Sequence, residues 1–286
     1  RIDRRCSRLA VVTRPLAAQT TLFPARNHFL GSSCASYLRK SGLIITNHLR
    51  PIQVPRLDTD ATATAGVEGS PATDANTVGS SVTLAAHRVD GVFTCSLELL
   101  LASEYNLESL LATFAQRAIQ AKVSAYLSTG AGGGTAPQGA FTAAAVTVGE
   151  TAASQTAITV DEWVNLMKSI PKGARKGARI VASDVAHTEL LKAKTGMGDY
   201  LLDTVDGGGY SFAGSPLFTE PQADQGGMTT GEVHVVAGDW SSFFVRMTPF
   251  YFKRTDGDDP LNPKFTFCLW MDSAVVGPDL RSLDMA

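Results

Sequence analysis

Between Asn106 and Tyr126 the apolar side chains Leu107, Leu110, Leu111, Phe114, Ala118, Ile119 and Tyr126 recur at helical spacing. The chain then runs straight into STGAGGGTAPQG at 128–139. This pairing constrains the fold more than any other feature. It predicts a helix over 106–127, about 33 Å long at 1.5 Å per residue, with Asn106 as N-cap and Glu108 in the first turn. Glycine is the default residue at helix ends, so the run that follows reads as an abrupt stop and chain reversal. A phosphate-cradling loop would have to follow a strand and open a helix. This run follows a helix, and no GK[ST] is present.

The two sides of this rod have different patterns. Residues 1–33 show no sustained period and are interrupted by Pro15, Pro24 and Gly31, which reads as an extended arm. Residues 43–57 are β-prone but broken by Pro51 and Pro55, which suits an edge ribbon. Residues 58–81 are small, polar and rich in turn formers, and predict a long exposed loop. Its flanks, 43–57 and 82–97, are expected to pair as β arms. From 140 onwards the pattern is α/β. Thr159 and Glu162 form a capping box opening DEWVNLMKSI, which Pro171 ends. A strand at 178–183 precedes a helix, VAHTELLKAKT, closed by Gly196. GSPLFTE and EVHVVAGDW give two short strands. SFFVRMTPFYFKR and KFTFCLWMD are long β runs separated by an acidic turn, and Phe265, Phe267, Leu269 and Met271 alternate onto one face. No internal repeat is visible.

Charged residues are 18% and apolar residues 44% of the 286. A disordered chain needs more charge and fewer apolar residues, and is excluded. No apolar run approaches ~18 residues, so no membrane-spanning helix is predicted. Cys6, Cys34, Cys95 and Cys268 are scattered without a CxxC pair, and read as reduced thiols of an intracellular product, neither a disulfide framework nor a zinc site. Asp256, Asp258 and Asp259 lack the glutamate of a calcium loop and read as a solvated turn. His187 and Glu189 do not form HExxH, and His187 is expected at the surface. His28, His48, His87 and His234 have no ligand spacing, and GxSxG is absent. Trp163, Trp240 and Trp270 are expected in the core or an interface. No catalytic, metal-ligating or cofactor-binding residue is expected.

One charge feature stands out. Residues 1–50 carry nine basic residues against Asp3 alone, a net of +8, while the rest carry 16 basic and 26 acidic residues, a net of −10. A basic arm on an acidic body points to a neighbouring copy of that body or to nucleic acid. The chain opens on Arg1 rather than Met, read here as a removed leader or an absent start.

The order of these elements resembles the tailed-phage major capsid protein family, with its Hong Kong 97-type fold. The resemblance covers about 35–280. AYLSTGAGGGTAPQGAF is similar to the family's exit from the spine helix, and ARIVASDVAHTELLKAKTGMGDYLL to the strand–helix pair of its axial domain. GSPLFTE with VVAGDWSSFFVRM is similar to the next two strands, and the ribbon ending in WMDSAVVGPDL to the peripheral strand and closing axial strand. The resemblance implies an α+β fold with an N-terminal arm at 1–42 and an extended loop with its β arms at 43–97. The spine helix and part of the peripheral domain would span 98–139, and the axial domain 140–240. A peripheral ribbon returning to the axial domain would span 241–286.

The same resemblance implies a structural, non-enzymatic protein whose pentamers and hexamers tile an icosahedral shell around double-stranded DNA. Assembly would be in the host cytoplasm, with portal, scaffold, protease and decoration proteins as further partners and no membrane. The missing Met agrees with removal of a scaffolding leader. Subunit contacts are expected at Arg26, Arg39, Arg50, Asp58, Asp60, Glu68, Asp74, Glu98, Glu104, Glu108, Asp256, Asp258, Asp259 and Lys264. Arg1, Arg4, Arg5 and Arg8 are expected against DNA or the inner surface. Some members cross-link a loop lysine to a peripheral asparagine. Here Asn262 is present, but no lysine lies between Lys40 and Lys122, so non-covalent contacts are expected. The competing readings are an encapsulin-type nanocompartment shell, a soluble α/β hydrolytic enzyme with a convergent Ser/His/Asp pocket, and a free DNA-binding protein.

Overall fold

A computed structural model describes residues 41–57, 79–102, 106–142, 146–154, 157–194, 202–205, 209–224, 227–255 and 261–286. The arm at 1–33, most of the loop at 58–81, Gly196 and the acidic turn at 256–259 lie outside the described residues.

The expected rod is present as α2 (Leu107–Thr129). Asn106 Oδ1 accepts from Ser109 N at 3.1 Å, so one of the orphan amides of the first turn is satisfied. Ala115, Ile119, Val123 and Leu127 make a buried stripe at four-residue spacing. The glycine run reverses the chain. Gly132, Gly133 and Gly134 hold φ of 67°, 72° and 87°, where side chains are disfavoured. Gly139 N then donates to Gly130 O at 2.8 Å and Ala140 N to Leu127 O at 2.8 Å, folding the return strand against the helix end.

A five-stranded sheet receives the helix. Its centre is β13 (Lys264–Val275), where Phe265, Phe267, Leu269 and Met271 are all buried on one face as the alternation predicts. On one side β13 pairs with β4 (His87–Thr94). On the other it pairs with β11 (Phe243–Met247) and then β12 (Tyr251–Thr255). The expected run 242–254 therefore breaks at 248–250, where Pro249 has no N–H to give the ladder. Thr248 bridges the gap, its N donating to Trp270 O and its Oγ1 accepting from Trp270 N. The edge strand β1 (Gly42–Ile45) runs parallel to β11.

The flanks of the long loop split their duties. β2 (Ile52–Leu57) and β3 (Gly79–Leu84) pair with each other as a separate two-stranded ribbon. The parts farther from the loop, β1 and β4, belong to the five-stranded sheet instead. A short helix, α1 (Leu97–Ala102), follows β4, and none of its residues is buried.

A seven-stranded sheet forms the other half, in the order β5 (Thr147–Ala152), β14 (Leu280–Met285), β10 (Val233–Gly238), β6 (Arg179–Ala182), β9 (Ser215–Thr219), β8 (Gly209–Phe212), β7 (Asp203–Val205). One face is covered by α3 (Val160–Ser169) and α5 (Asp184–Lys192), with the short α4 (Lys172–Arg175) between them. The capping box is complete: Thr159 Oγ1 accepts from Glu162 N, and Glu162 Oε2 accepts from Thr159 N. The helix α5 ends at Lys192 with Ala193 extended, before Gly196. The opposite face shares one core with α2 and β13, where Val181, Val236 and Leu280 meet Ile119, Val123 and Leu269.

Candidate functional site

The ribbon β2–β3 departs from the five-stranded sheet at a buried polar knot. Arg246 of β11 is 1% exposed. Its Nε donates to Thr46 Oγ1 at 3.2 Å, and its Nη1 to Leu84 O at 3.1 Å and Ala85 O at 2.8 Å. Its Nη2 donates to His48 O. One guanidinium thus holds the segment entering the ribbon and the segment leaving it. Asp272, beside it on β13, accepts from Ala85 N and from Ser273 N, and lies 3.8 Å from His87 Nε2. Burial raises the Asp272 pKa against the pull of these amides, His87 and Arg246. Burial likewise lowers that of Arg246, with Asp272 opposing. Sequence reasoning missed both residues. The available signal was a lone charge inside an apolar strand, FFVRM and LWMDSAV.

Next to the knot, Asn47, Leu49, Thr248, Tyr251 and Trp270 line a shallow cavity of about 250 Å³. Trp270 meets Tyr251 edge-on at 5.9 Å. The other two tryptophans are core: both are fully buried, and Trp240 Nε1 donates to Arg179 O at 3.2 Å.

A second polar group lies inside the seven-stranded half. Ser183 Oγ is 3.1 Å from His234 Nδ1, and His234 Nε2 is 3.4 Å from Glu232 Oε2. The order resembles that of a hydrolytic triad, but Ser183 and His234 are both fully buried. Ser183 Oγ also caps α5 by accepting from Ala186 N at 3.3 Å. The Ser183 hydroxyl is thus a structural cap without access for a substrate. Burial lowers the His234 pKa, with Glu232 and Asp224 opposing. His187, expected at the surface, is buried at 8% exposure, with its ring 5.1 Å from Tyr210. It lies one turn into α5 on the face turned to the sheet, and its pKa is also lowered by burial, against Asp184. Among the described residues no cluster of His, Cys, Asp and Glu could hold a metal ion, and no helix is long and apolar enough to cross a membrane.

Of the predicted contact residues, Arg50, Glu98, Glu108 and Lys264 are described, and all four are exposed. Glu108 is already paired within the chain, with Arg254 Nη1 at 3.0 Å. Arg254 is not among the predicted residues, and no two of the four described ones form an ion pair. Arg1, Arg4, Arg5, Arg8, Arg26, Arg39, Asp58, Asp60, Glu68, Asp74, Glu104, Asp256, Asp258 and Asp259 lie outside the described residues. The exposed apolar surface is more informative. Leu99 and Leu101 of α1, Leu110 and Phe114 of α2, and nearby Leu261 are 44–78% exposed. Leu97 N donates to Leu261 O at 2.7 Å, which ties α1 to the chain leading into β13.

Two sheets sharing a core, a long helix laid along it and a two-stranded arm rooted in a buried knot define a shell subunit of the Hong Kong 97 type. The chain belongs to the phage capsid family, whose sequence model matches residues 35–271. Solved structures with the same fold include the capsid of a native GTA particle, at 16% identity and a TM-score of 0.76, with 96% of each chain covered. Those of Gordonia phage Cozz (15%, TM-score 0.61, 87% of this chain and 85% of that one) and Mycobacterium phage Adephagia (12%, 0.62, 89% and 90%) are similar too. No curated protein sequence matches the chain. The chain is a structural, homo-oligomeric component of a capsid shell.

Proposed function

We propose that this chain is the major capsid protein of a closed icosahedral shell, built from pentamers and hexamers, that encloses double-stranded DNA. The observation that carries the reading is the incompleteness of the five-stranded half. Among the described residues the ribbon β2–β3 pairs with no third strand: its root packs through Val54 and Leu84 onto Ala274 and Val276, and beyond that it is a two-stranded hairpin of the kind that is marginal alone in water. Elsewhere in this half, apolar side chains on α1 and α2 are exposed among the described residues. Neighbouring copies complete these features, burying well over ~2,000 Å² per subunit as obligate assemblies do.

The arm has a divided role in this reading. Arg1, Arg4, Arg5 and Arg8 face DNA or the inner surface, while Arg26, Arg39 and Arg50 pair with protein nearer the body. Asp58, Asp60, Glu68 and Asp74 of the loop, Glu98, Glu104, Asp256, Asp258, Asp259 and Lys264 supply further contacts between copies. Exposed pairs are worth about 0–1 kcal/mol each, so they set register more than strength. Assembly takes place in the host cytoplasm, with scaffold, protease, portal and decoration proteins as transient or minor partners. The contacts are non-covalent, because the loop offers no lysine.

Negative-stain imaging of the purified chain, with an assay for nuclease-protected DNA, tests the reading. Closed shells holding protected DNA are expected. Shells holding a protein cargo and no DNA would point to a nanocompartment, and a chain that forms no shells under any assembly condition would end the proposal. Reduced and unreduced samples are expected to run near 30.2 kDa on a denaturing gel, without a ladder.

A further inference from the structure

Residues 163–183 carry Lys168, Lys172, Arg175, Lys176 and Arg179 and no acidic residue, inside a body whose net charge from residue 51 onward is −10. The fold gathers four of the five at one place, the end of α3 and the turn of α4, where Lys168, Lys172, Arg175 and Lys176 are all exposed. Arg281 of β14 joins them, its Nε donating to Ser169 O at 3.3 Å. Arg179 stands apart, over the ring of Phe218 at 5.6 Å. None of Lys168, Lys172, Arg175 and Lys176 forms a salt bridge with a described carboxylate.

Part of this charge has a structural duty. Arg175 donates to Ile170 O and Lys168 O, which caps the carbonyl end of α3, and Lys168 lies in the last turn of the same helix. Arg281 is tied to Pro278 O and Leu280 O. Lys172 and Lys176 have no such duty. The strip is also open: a Cβ on Gly173, between them, would meet nothing within 4 Å.

We propose that this strip binds the phosphate backbone of nucleic acid, and that in the assembled shell it contacts the enclosed DNA. The placement inside the shell rests on the reading above. The ligand class follows from which donors are free. Arginine's planar fork suits oriented, bidentate recognition of a carboxylate or a phosphate, but here both arginines are committed to carbonyls. What stays free is lysine, a flexible point charge that is depleted at protein interfaces and suited to sequence-independent phosphate contacts. The open, shallow setting suits a continuous polyanion rather than an inserted acidic peptide.

The test uses the full chain, unassembled, with a fluorescent 30-base-pair duplex and with polyglutamate over a salt series. The variants are Lys168→Gln/Lys172→Gln/Lys176→Gln and its Lys→Arg counterpart, with Lys172→Gln/Lys176→Gln alone as a milder pair. Each phosphate contact contributes about −0.9 to the log–log salt slope. The triple glutamine variant is expected to lose roughly 2–3 of that slope, the pair roughly 2, and the arginine variant none. An unchanged slope in the glutamine variants overturns the proposal, as does a parent chain that binds polyglutamate but not the duplex. Imaging of the same preparations separates this from the shell reading: shells with an unchanged slope sink the strip alone, and an absence of shells sinks the reading it rests on.

Discussion

The two sheets of this molecule solve the same problem in opposite ways. The seven-stranded sheet is finished within its own chain. α3 and α5 cover one face, α2 and β13 close the other, and among its described residues only Val148 and Val164 stand out as large exposed apolar side chains. The five-stranded half, with its ribbon and helices α1 and α2, holds the other nine of the eleven such side chains among the described residues. It also places an arginine where a core residue would ordinarily sit. One half is a folding unit in the usual sense, and the other is a folding unit with surfaces reserved for partners. Shell formation asks for both, since a rigid body must carry an adaptable edge.

The largest effect is expected from Arg246→Met, which leaves the Thr46 hydroxyl and the carbonyls of His48, Leu84 and Ala85 without their donor and takes the neighbouring positive charge away from buried Asp272. Breaking a buried charged network of this kind costs about 3–5 kcal/mol. Hydrogen exchange should show protection lost in 52–57 and 79–84 while α3 and β6 keep theirs. Equal loss across both sheets would show that the knot holds the whole molecule and not the arm.

Gly238→Ala tests the joint between the halves. Gly238 ends β10 at φ 146°, and a Cβ there would strike Asp279 O. The chain passes from here through a short turn at 240–242 into β11. Overpacking against backbone costs about 1–3 kcal/mol, with left-handed strain of similar size added. Unfolding midpoints followed by probes in the two sheets should fall together. A drop confined to one sheet would mean the halves are uncoupled.

The same contrast marks what could be read in the residues beforehand. The rod, its asparagine cap, the glycine reversal, the Thr159–Glu162 box and the alternation of β13 were all legible, because each rests on local geometry within a few residues. The resemblance to capsid proteins rested on the order of such elements. Long-range pairing was less legible. The flanks of the loop looked like two equal arms, yet half of each joins the five-stranded sheet. His187 looked superficial because HTE sits near a helix start, whereas tertiary packing turns it onto Tyr210. Arg246, Asp272, Ser183 and His234 become partners only when strands distant in the chain meet. The basic run at 168–176 was visible as letters, but only the fold shows that Lys172 and Lys176 are spared structural work.

Acid should separate the halves more gently. His187 and His234 have pKa values below the ordinary 6.5 in the folded chain, so the unfolded chain binds more protons as pH falls through about 6.5. Their contribution is fully present above that pH and is lost progressively towards the folded values, by at most ~1.4 kcal/mol per histidine per pH unit. Asp272 works in the other sense. Its raised pKa favours the protonated folded state, so its contribution grows as pH falls through that pKa. Between neutral pH and about 5, hydrogen exchange corrected for intrinsic rates should loosen at β6, β10 and α5 before the knot. His187→Gln with His234→Gln should flatten the dependence. A first opening at 46–48 and 84–85 would contradict the assignment.

The smallest effect on the subunit is expected where the shell depends on the surface most. Leu110 and Phe114 sit one turn apart on α2 and are 44% and 45% exposed. Leu110→Gln with Phe114→Gln replaces two half-exposed side chains outside the buried stripe Ala115, Ile119, Val123 and Leu127, and glutamine is nearly as good a helix former as leucine. The unfolding midpoint should shift by about 1 kcal/mol equivalent or less, since glutamine keeps part of the aliphatic contact. Completing the burial of each side chain against a neighbour is worth roughly 1 kcal/mol, and a shell repeats that contact in every subunit. Yield of closed particles by sedimentation should therefore fall sharply while the monomer stays folded. Val164→Gln, on the exposed face of α3 at 49% exposure, is the matched control in the other half. It should alter neither stability nor particle yield. If Val164→Gln stops assembly and the α2 pair does not, the surface reserved for partners lies on the seven-stranded half, and the contrast between the two sheets is reversed.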